Sequence, residues 1–429
     1  MRSQRYIIPV RVFSYWRLPE PYLIFAIGLL ALLIRLVFSF ALYGHLASTL
    51  NESTDPDSFG RLARNWATGA GYRFASGEPL TTFRGPGYPL MLAAIYLLFG
   101  RLLPGAVVLQ CLLSAVVCVV AYYICRRVFR PSIAYVAALI CAVHPLLIWY
   151  APRIRYEYLL ALALMLAISF SLRLQDSRSF KDACLTGFFF GYAALVNQIV
   201  ILLPLFLFVV LYLFEKREFI PIKFTATTLA VMVATITPWT IRNYEISGQI
   251  IPVNSGGIAL FVEGNCQTEH YNEAPLQLTK LRIIDKKCAE RLLGHRSGST
   301  FSFEAQGIDK ALTPYAMSYL LHRPWDLAAK ALVQMLRFWY LSDTPAGSLF
   351  LAVIEAPLLL LALVGAWVTI RSYKGGLVLV LTILYFNLLY AAIYVEGRYS
   401  TPVIPYVAIL SAVGLHSSLQ LVRKAPLLH

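Results

Sequence analysis

The sequence predicts an all-α polytopic membrane protein: a bundle of about ten transmembrane helices, with interfacial helices in the first outer loop and one long outer loop further on. Three observations carry this. The chain is 59% hydrophobic with a mean hydropathy of +0.65. Only 14% of its residues are charged, against about 25% in soluble domains. Apolar runs near the bilayer-spanning length of about 20 residues recur along the chain, and lysine and arginine gather in short clusters between them, as the positive-inside rule expects. The net charge of +15 is therefore read as attraction to anionic lipid headgroups, and no nucleic-acid partner is expected.

The first span runs from about Tyr22 to Tyr43 and is read as retained rather than cleaved, because no small-residue cleavage site follows it. Arg35 lies inside it. Arginine at depth is costly, so it either snorkels to the headgroups or faces inward, towards the acidic stretch that follows. The run Pro89–Phe99 is short for a span. If it does not cross, Arg126, Arg127 and Arg130 fall on the same side as the basic N-terminus, which satisfies the charge rule. Spans then follow at about Gly105–Ile124, Ser132–Tyr150 and Tyr156–Leu172. The run Ala183–Phe214 would be about 48 Å long as one helix, too long for a core of about 30 Å. It is read as two spans parted near Asn197-Gln198. Phe224–Trp239, Ser348–Ile370, Gly376–Val395 and Thr401–Leu421 complete the set, with both termini inside.

This divides the chain into an N-terminal membrane region (1–242) with its first outer loop at 45–104, a long outer segment (243–346), and a C-terminal membrane region (347–429). In the outer segment, Trp325, Ala328, Leu332, Met335 and Trp339 recur at spacings of three and four, while Lys330, Gln334 and Arg337 fall on other faces. That is an amphipathic helix suited to the interface plane. Cys111, Cys118 and Cys125 share one helix face and read as small packing residues. Cys266 and Cys288 are the two cysteines of the long outer segment, and a disulfide between them is expected if that segment meets an oxidising compartment. His144, before Pro145, reads as a hydrogen-bonded packing residue.

On this topology Asp55, Asp57, Arg84, Glu157, Arg242, Asn243, Glu396 and Arg398 fall on one face, at or near helix ends. Asp55 and Asp57 cannot share a helix face at i, i+2. Asp57 suits the N-cap of the helix FGRLARNW, since Pro56 disfavours helix at Asp55. Asp55 is then free to point elsewhere and act as a general base. Glu157 reads either as a carboxylate favoured by a helix N-terminus or as a group that orients an acceptor or shares a cation. Arg84, in FRGPGYP, reads as a surface arginine or as a phosphate ligand. No metal-binding or glycine-rich phosphate motif appears.

The order Asp55-x-x-x-Phe59-x-x-x-Ala63-Arg64-Asn65, Gly69-x-Gly71-Tyr72, Arg84-x-Pro86-Gly87-Tyr88-Pro89 and a closing Phe99-Gly100 resembles the GT-C glycosyltransferases. The group it is most similar to comprises bacterial proteins like the protein O-mannosyltransferases and the lipid A aminoarabinose transferases. The resemblance returns at Pro238-Trp-Thr-Ile-Arg242-Asn243 and at Glu396-Gly-Arg398-Tyr399. It implies an inverting transferase that moves a sugar from a polyprenyl-phosphate donor to a glycolipid, glycan or protein acceptor at the outer face of a bacterial inner membrane. It implies Asp55 as catalytic base with Glu157 as the second acidic position, Arg84, Arg242 and Arg398 as ligands of the donor phosphate, and Asp57, Arg35, Tyr88, Asn243 and Tyr399 in support. No cofactor is required, although a divalent cation would be compatible. Two other readings remain open: a surface-polysaccharide polymerase or ligase, and a lipid or solute transporter. Asn197 stands where relatives often have arginine, and the chain lacks the extra C-terminal soluble domain of the lipid A enzymes.

Overall fold

The computed structural model describes residues 19–42, 55, 57–100, 102–214, 220–266, 308–342, 344–373 and 375–424. The expected Cys266–Cys288 disulfide lies outside the described residues. Helices dominate, and no strand occurs among the described residues. In chain order they are α1 (Glu20–Leu42), α2 (Phe59–Ala67), α3 (Gly87–Phe99), α4 (Leu102–Val128), α5 (Pro131–Val143), α6 (Pro145–Trp149), α7 (Glu157–Ser177), α8 (Phe180–Val196), α9 (Leu203–Phe214), α10 (Ile222–Ser247), α11 (Gly256–Cys266), α12 (Ile308–His322), α13 (Pro324–Tyr340), α14 (Pro345–Ser372), α15 (Leu377–Ile393) and α16 (Ile404–Lys424).

Among the described residues, six of these helices, α1, α4, α7, α10, α14 and α16, are long and apolar enough to cross a membrane. The others are shorter. α3 has 13 residues, about 20 Å of helix, too short for a span. The segment expected as one span from Ser132 to Tyr150 is instead two helices. Pro145 has no N–H to continue the ladder, and His144 stands between α5 and α6 in extended conformation (ψ 124°). The break expected near Asn197 falls there: α8 ends at Val196, a short 3-10 turn follows at Gln198–Val200, and α9 starts at Leu203.

Two features hold the bundle close. α14 and α16 meet at Gly365 and Gly414, where a Cβ would run into the Leu410 and Leu361 carbonyls respectively. Small residues at such a crossing let backbones touch, the usual basis of helix association in lipid. Arg35 is fully buried and faces inward. Its guanidinium donates to Ser114 Oγ (2.6 Å) on α4 and to the carbonyls of Ala142 (2.8 Å) and Cys141 (3.1 Å) on α5. It therefore neither snorkels nor reaches the acidic stretch. It braces three helices by satisfying carbonyls freed at the α5 break.

α13 turns most of its apolar side outward, as an interfacial helix does, but its polar side meets the protein instead of water. Lys330, Gln334 and Arg337 are buried, whereas Trp325, Leu332 and Leu336 are exposed. Lys330 Nζ donates to Asn265 Oδ1 on α11 (3.0 Å) and to the Ile393 carbonyl at the end of α15 (3.1 Å). Lys330 thus fastens two helix ends from inside, while Trp325, Leu332 and Leu336 face away from the protein and Trp339 is buried.

Candidate active site

α2 and α3 carry the first-loop residues onto α4 and α8, and Arg398 of the 3-10 turn Gly397–Ser400 reaches Asp57 from the C-terminal side. A tight turn starts the site. Ser58 N–H donates to the Asp55 carbonyl (3.1 Å), and Ser58 adopts a left-handed conformation, φ 59°. The turn folds Asp55 back over the start of α2, where its Oδ2 accepts from the N–H groups of Gly60 (2.8 Å) and Arg61 (3.2 Å). Asp55, not Asp57, therefore caps α2, the reverse of the assignment drawn from the proline. One Asp55 oxygen is anchored, and the other, Oδ1, is buried without a hydrogen-bond partner among the described residues. Burial pushes the Asp55 carboxyl above its ordinary range, against the two backbone N–H groups, and the neighbouring Asp57 charge adds to the rise.

Asp57 points into a cluster of guanidinium groups. Arg398 Nη1 lies 2.7 Å from its Oδ2, Arg155 Nη1 3.1 Å from the same oxygen, and Arg84 Nη2 3.6 Å from Oδ1. Burial alone would raise the Asp57 carboxyl, but Arg398, Arg155 and Arg84 outweigh it and hold it far below the carboxylate range. Arg398 also reaches Glu157 Oε1 (3.3 Å) and Glu396 Oε2 (2.5 Å). Burial opposes the Arg398 charge, yet Asp57 and Glu396 keep it protonated well beyond the usual arginine range. Tyr399 OH accepts from Arg398 Nη2 (3.4 Å), and its ring stacks on Tyr390 (4.5 Å between centroids).

The structure thus brings together Asp57, Arg84, Glu157, Arg398 and Tyr399 from distant parts of the sequence. Tyr88 is buried and meets Phe59 edge to face, and its hydroxyl accepts from Gln110 Nε2 (3.0 Å). Two expected members serve elsewhere. Arg242 donates to the Thr81 carbonyl (2.7 Å) and lies over the Trp239 ring (4.5 Å), so it fastens the first loop to α10 instead of joining the Asp57 cluster. Asn243 donates to the carbonyls of Ile251 and Val253 (both 3.0 Å), which fixes the chain leading to α11. Conversely, Arg155 was not singled out. It lies two residues before Glu157 in a run with a second arginine, and that adjacency was the available signal. Gln110 on α4 holds this run by donating to the carbonyls of Arg153 (2.9 Å) and Arg155 (2.5 Å).

Beside the cluster lies a cleft that opens to the surroundings. Arg84 and Arg398 line it, with the rings of Phe59, Phe83, Tyr156 and Tyr399 and the amides of Asn197, Gln198 and Asn254. Among the described residues no three metal-ligating side chains converge. Guanidinium groups supply the positive charge beside Asp57 and Glu157 in this arrangement.

Residues 83–241 match a family model described as dolichyl-phosphate-mannose-protein mannosyltransferase. The matched segment contains Arg84, Arg155 and Glu157 but neither Asp55, Asp57 nor Arg398. No curated protein matches the chain significantly. Among solved structures the chain is similar to the archaeal oligosaccharyltransferase AglB from Archaeoglobus fulgidus in complex with an inhibitory peptide and a dolichol-phosphate, with TM-score 0.58, 14% identity, and coverage of 94% of this chain and 51% of that one. It is similar also to ArnT from Cupriavidus metallidurans bound to undecaprenyl phosphate, with TM-score 0.57, 16% identity, and coverage of 95% and 63%. The chain spans only about half to two-thirds of the length of these proteins. At such identities the likeness is one of fold: this is a multi-pass membrane protein whose helices are arranged in the GT-C fold of these two proteins.

Proposed function

We propose that this chain is an inverting membrane glycosyltransferase that takes a sugar from a polyprenyl-phosphate carrier and passes it to an acceptor hydroxyl on the outer face of the membrane. The observation that carries the reading is the pairing of two unlike aspartates, one with an unpartnered oxygen and one gripped by three arginines, beside a cleft lined by Arg84 and Arg398. The solved relatives, one bound to undecaprenyl phosphate and one to dolichol-phosphate, support a lipid phosphate as the donor's leaving group.

The chemistry is a single displacement. The acceptor hydroxyl gives its proton to Asp55 as its oxygen bonds to the anomeric carbon. The bond from that carbon to the phosphate oxygen breaks, and polyprenyl phosphate leaves with the electron pair. Burial suits Asp55 to this task, because a base works best when its pKa approaches the working pH. Asp57 is too firmly ionised to take a proton, and it serves to hold Arg398. The leaving phosphate gains charge, which Arg84 and Arg398 would meet with preorganised donors. Glu157 and Glu396 flank Arg398 and orient it.

The test is transfer by the full chain in proteoliposomes with labelled polyprenyl-phosphate sugars, paired with mass spectrometry of envelope glycolipids, glycans and proteins from a deletion strain. Loss of one glycan modification on deletion, and lipid-phosphate-dependent transfer in vitro, are expected. An unchanged glycan profile with movement of an unmodified lipid or solute would favour the transporter reading instead.

A further inference from the structure

Arg84 stands in the connection between α2 and α3, outside any helix, yet it lines the cleft and its guanidinium lies 3.6 Å from Asp57. The peptide that carries it is held by Tyr72. The Tyr72 hydroxyl donates to the carbonyls of Arg84 (3.1 Å) and Gly85 (3.0 Å), one proton shared between two acceptors. Its ring is buried and packs edge to face against Trp66 and Trp239, with centroids 5.3 and 5.0 Å away. Gly69 (φ 80°) and Gly71 (φ 89°) take left-handed conformations just before it, as glycine does readily. The Tyr72 carbonyl accepts from Thr81 N–H (2.9 Å). The end of α8 presses on the same peptide: a Cβ at Gly85 would stand 2.5 Å from the Leu195 carbonyl. Burial outweighs the nearby Arg242 and Arg84 charges and keeps the Tyr72 hydroxyl protonated well beyond the usual tyrosine range. Tyr72 is not among the described residues that line the cleft.

We propose that Tyr72 is a positioning residue for donor binding: it fixes the backbone at Arg84, so that the guanidinium is already in place to meet the phosphate of the lipid-linked donor. The inference rests on the donor reading above and deepens it. Without the hydroxyl, the Arg84 and Gly85 carbonyls would turn towards other donors and carry the Arg84 side chain with them. The guanidinium fork matches phosphate only in the right orientation. Holding a group in its bound geometry raises affinity by removing the cost of ordering it. The Gly69-x-Gly71-Tyr72 run thus shapes the donor site from outside it.

The experiment compares undecaprenyl phosphate with undecaprenol, which lacks the phosphate, as ligands of the full chain in proteoliposomes. The readout is the ratio of the two affinities, because a general loss of structure weakens both. Tyr72→Phe keeps the ring against Trp66 and Trp239 and should lower the ratio about three- to tenfold, the loss of one neutral hydrogen bond. In an Arg84→Ala background, where Arg398 still lines the cleft, adding Tyr72→Phe should lower it no further. An unchanged ratio for Tyr72→Phe would overturn the inference. So would an equal fall with and without Arg84, which would mark Tyr72 as support for the fold alone. Both results leave the donor reading intact. A wild-type protein that binds undecaprenol as tightly as undecaprenyl phosphate would overturn the donor reading, and this inference with it.

Discussion

Arg398 places Nη1 2.7 Å from Asp57 Oδ2 across 341 residues of sequence, and the two ends of the chain meet at that contact. Both groups are buried. Removing one partner of a buried ion pair typically costs about 3–5 kcal/mol, because the other is left uncompensated. Asp57→Asn and Arg398→Gln should each lower the unfolding midpoint in detergent markedly. Arg398→Lys should not restore it, since one ammonium cannot serve Asp57, Glu157 and Glu396 at once. Asp57 has a depressed pKa in the folded state, so its stabilisation is present above the ordinary carboxylate range and is lost as the pH falls through the folded value. Wild-type stability should therefore fall on acidification, and Asp57→Asn should remove that part of the slope.

The topology gives a second expectation. The placement of Ile250 on the same side as Arg84, and of Arg178 on the opposite side, follows from positive-inside counting with α3 not crossing. Both positions are exposed. Single cysteines at 250 and 178 in the full chain, treated with a membrane-impermeant thiol reagent on intact cells, should label at 250 and not at 178. Labelling at 178 alone would invert the membrane map, and the proposed outer face with it.

A third concerns a polar pair within the spans. His144 Nε2 lies 3.1 Å from Glu355 Oε1 on α14, with both side chains almost fully buried. The histidine is expected as a hydrogen-bonded packing residue; it packs against Glu355 at ion-pair distance, but no hydrogen bond joins the two among the described residues. His144→Leu or Glu355→Leu alone should destabilise the protein by leaving the other group unanswered, whereas the double change should recover much of the loss. Unfolding midpoints of the four proteins test this. A double variant as unstable as the sum of the singles would show that the two do not act as a pair.

Much of the fold was legible because span length and charge clusters report directly on the bilayer. The break at Asn197 follows from length alone, and the one at His144 could have been read from Pro145. The site was legible as a set of polar residues at helix ends on one face, which is how Arg84, Glu157 and Arg398 were found together. The division of labour between Asp55 and Asp57 was not. It depends on a left-handed Ser58, and serine carries no signal for that conformation. Arg242 and Arg35 looked like site cations because type and depth can be read from sequence. Their actual partners, the Thr81 carbonyl and carbonyls at a helix break, depend on packing. For α13 the periodicity shows the two faces of an interfacial helix, but not that its polar face is buried in the protein.

Asp55 carries the sharpest consequence. Its Oδ2 is held by two backbone N–H groups and its Oδ1 is buried and unpartnered, so it is the aspartate able to receive a proton. Asp55→Asn keeps the shape, and its side-chain oxygen can still accept from Gly60 and Arg61, so the fold should survive. Transfer should fall about 10²–10⁴-fold, the usual loss of a general base, while binding of undecaprenyl phosphate stays near wild type. Arg84→Ala should do the opposite and weaken lipid-phosphate binding first. The base must be ionised to act, and burial raises the Asp55 carboxyl above its ordinary value of 3.8. The wild-type rate should therefore climb with pH through an acid limb that lies above the normal carboxylate range, and the residual rate of Asp55→Asn should lack that limb. Burial in the folded state also favours protonated Asp55, so its ionisation costs stability as the pH rises through the folded pKa. Asp55→Asn should accordingly gain stability relative to wild type above that pH. Transfer rates and unfolding midpoints for the two proteins from pH 4 to 9 check both effects. A variant with near-normal transfer would move the role of base away from Asp55, and a variant whose lost transfer is matched by lost folding would reduce Asp55 to the cap of α2.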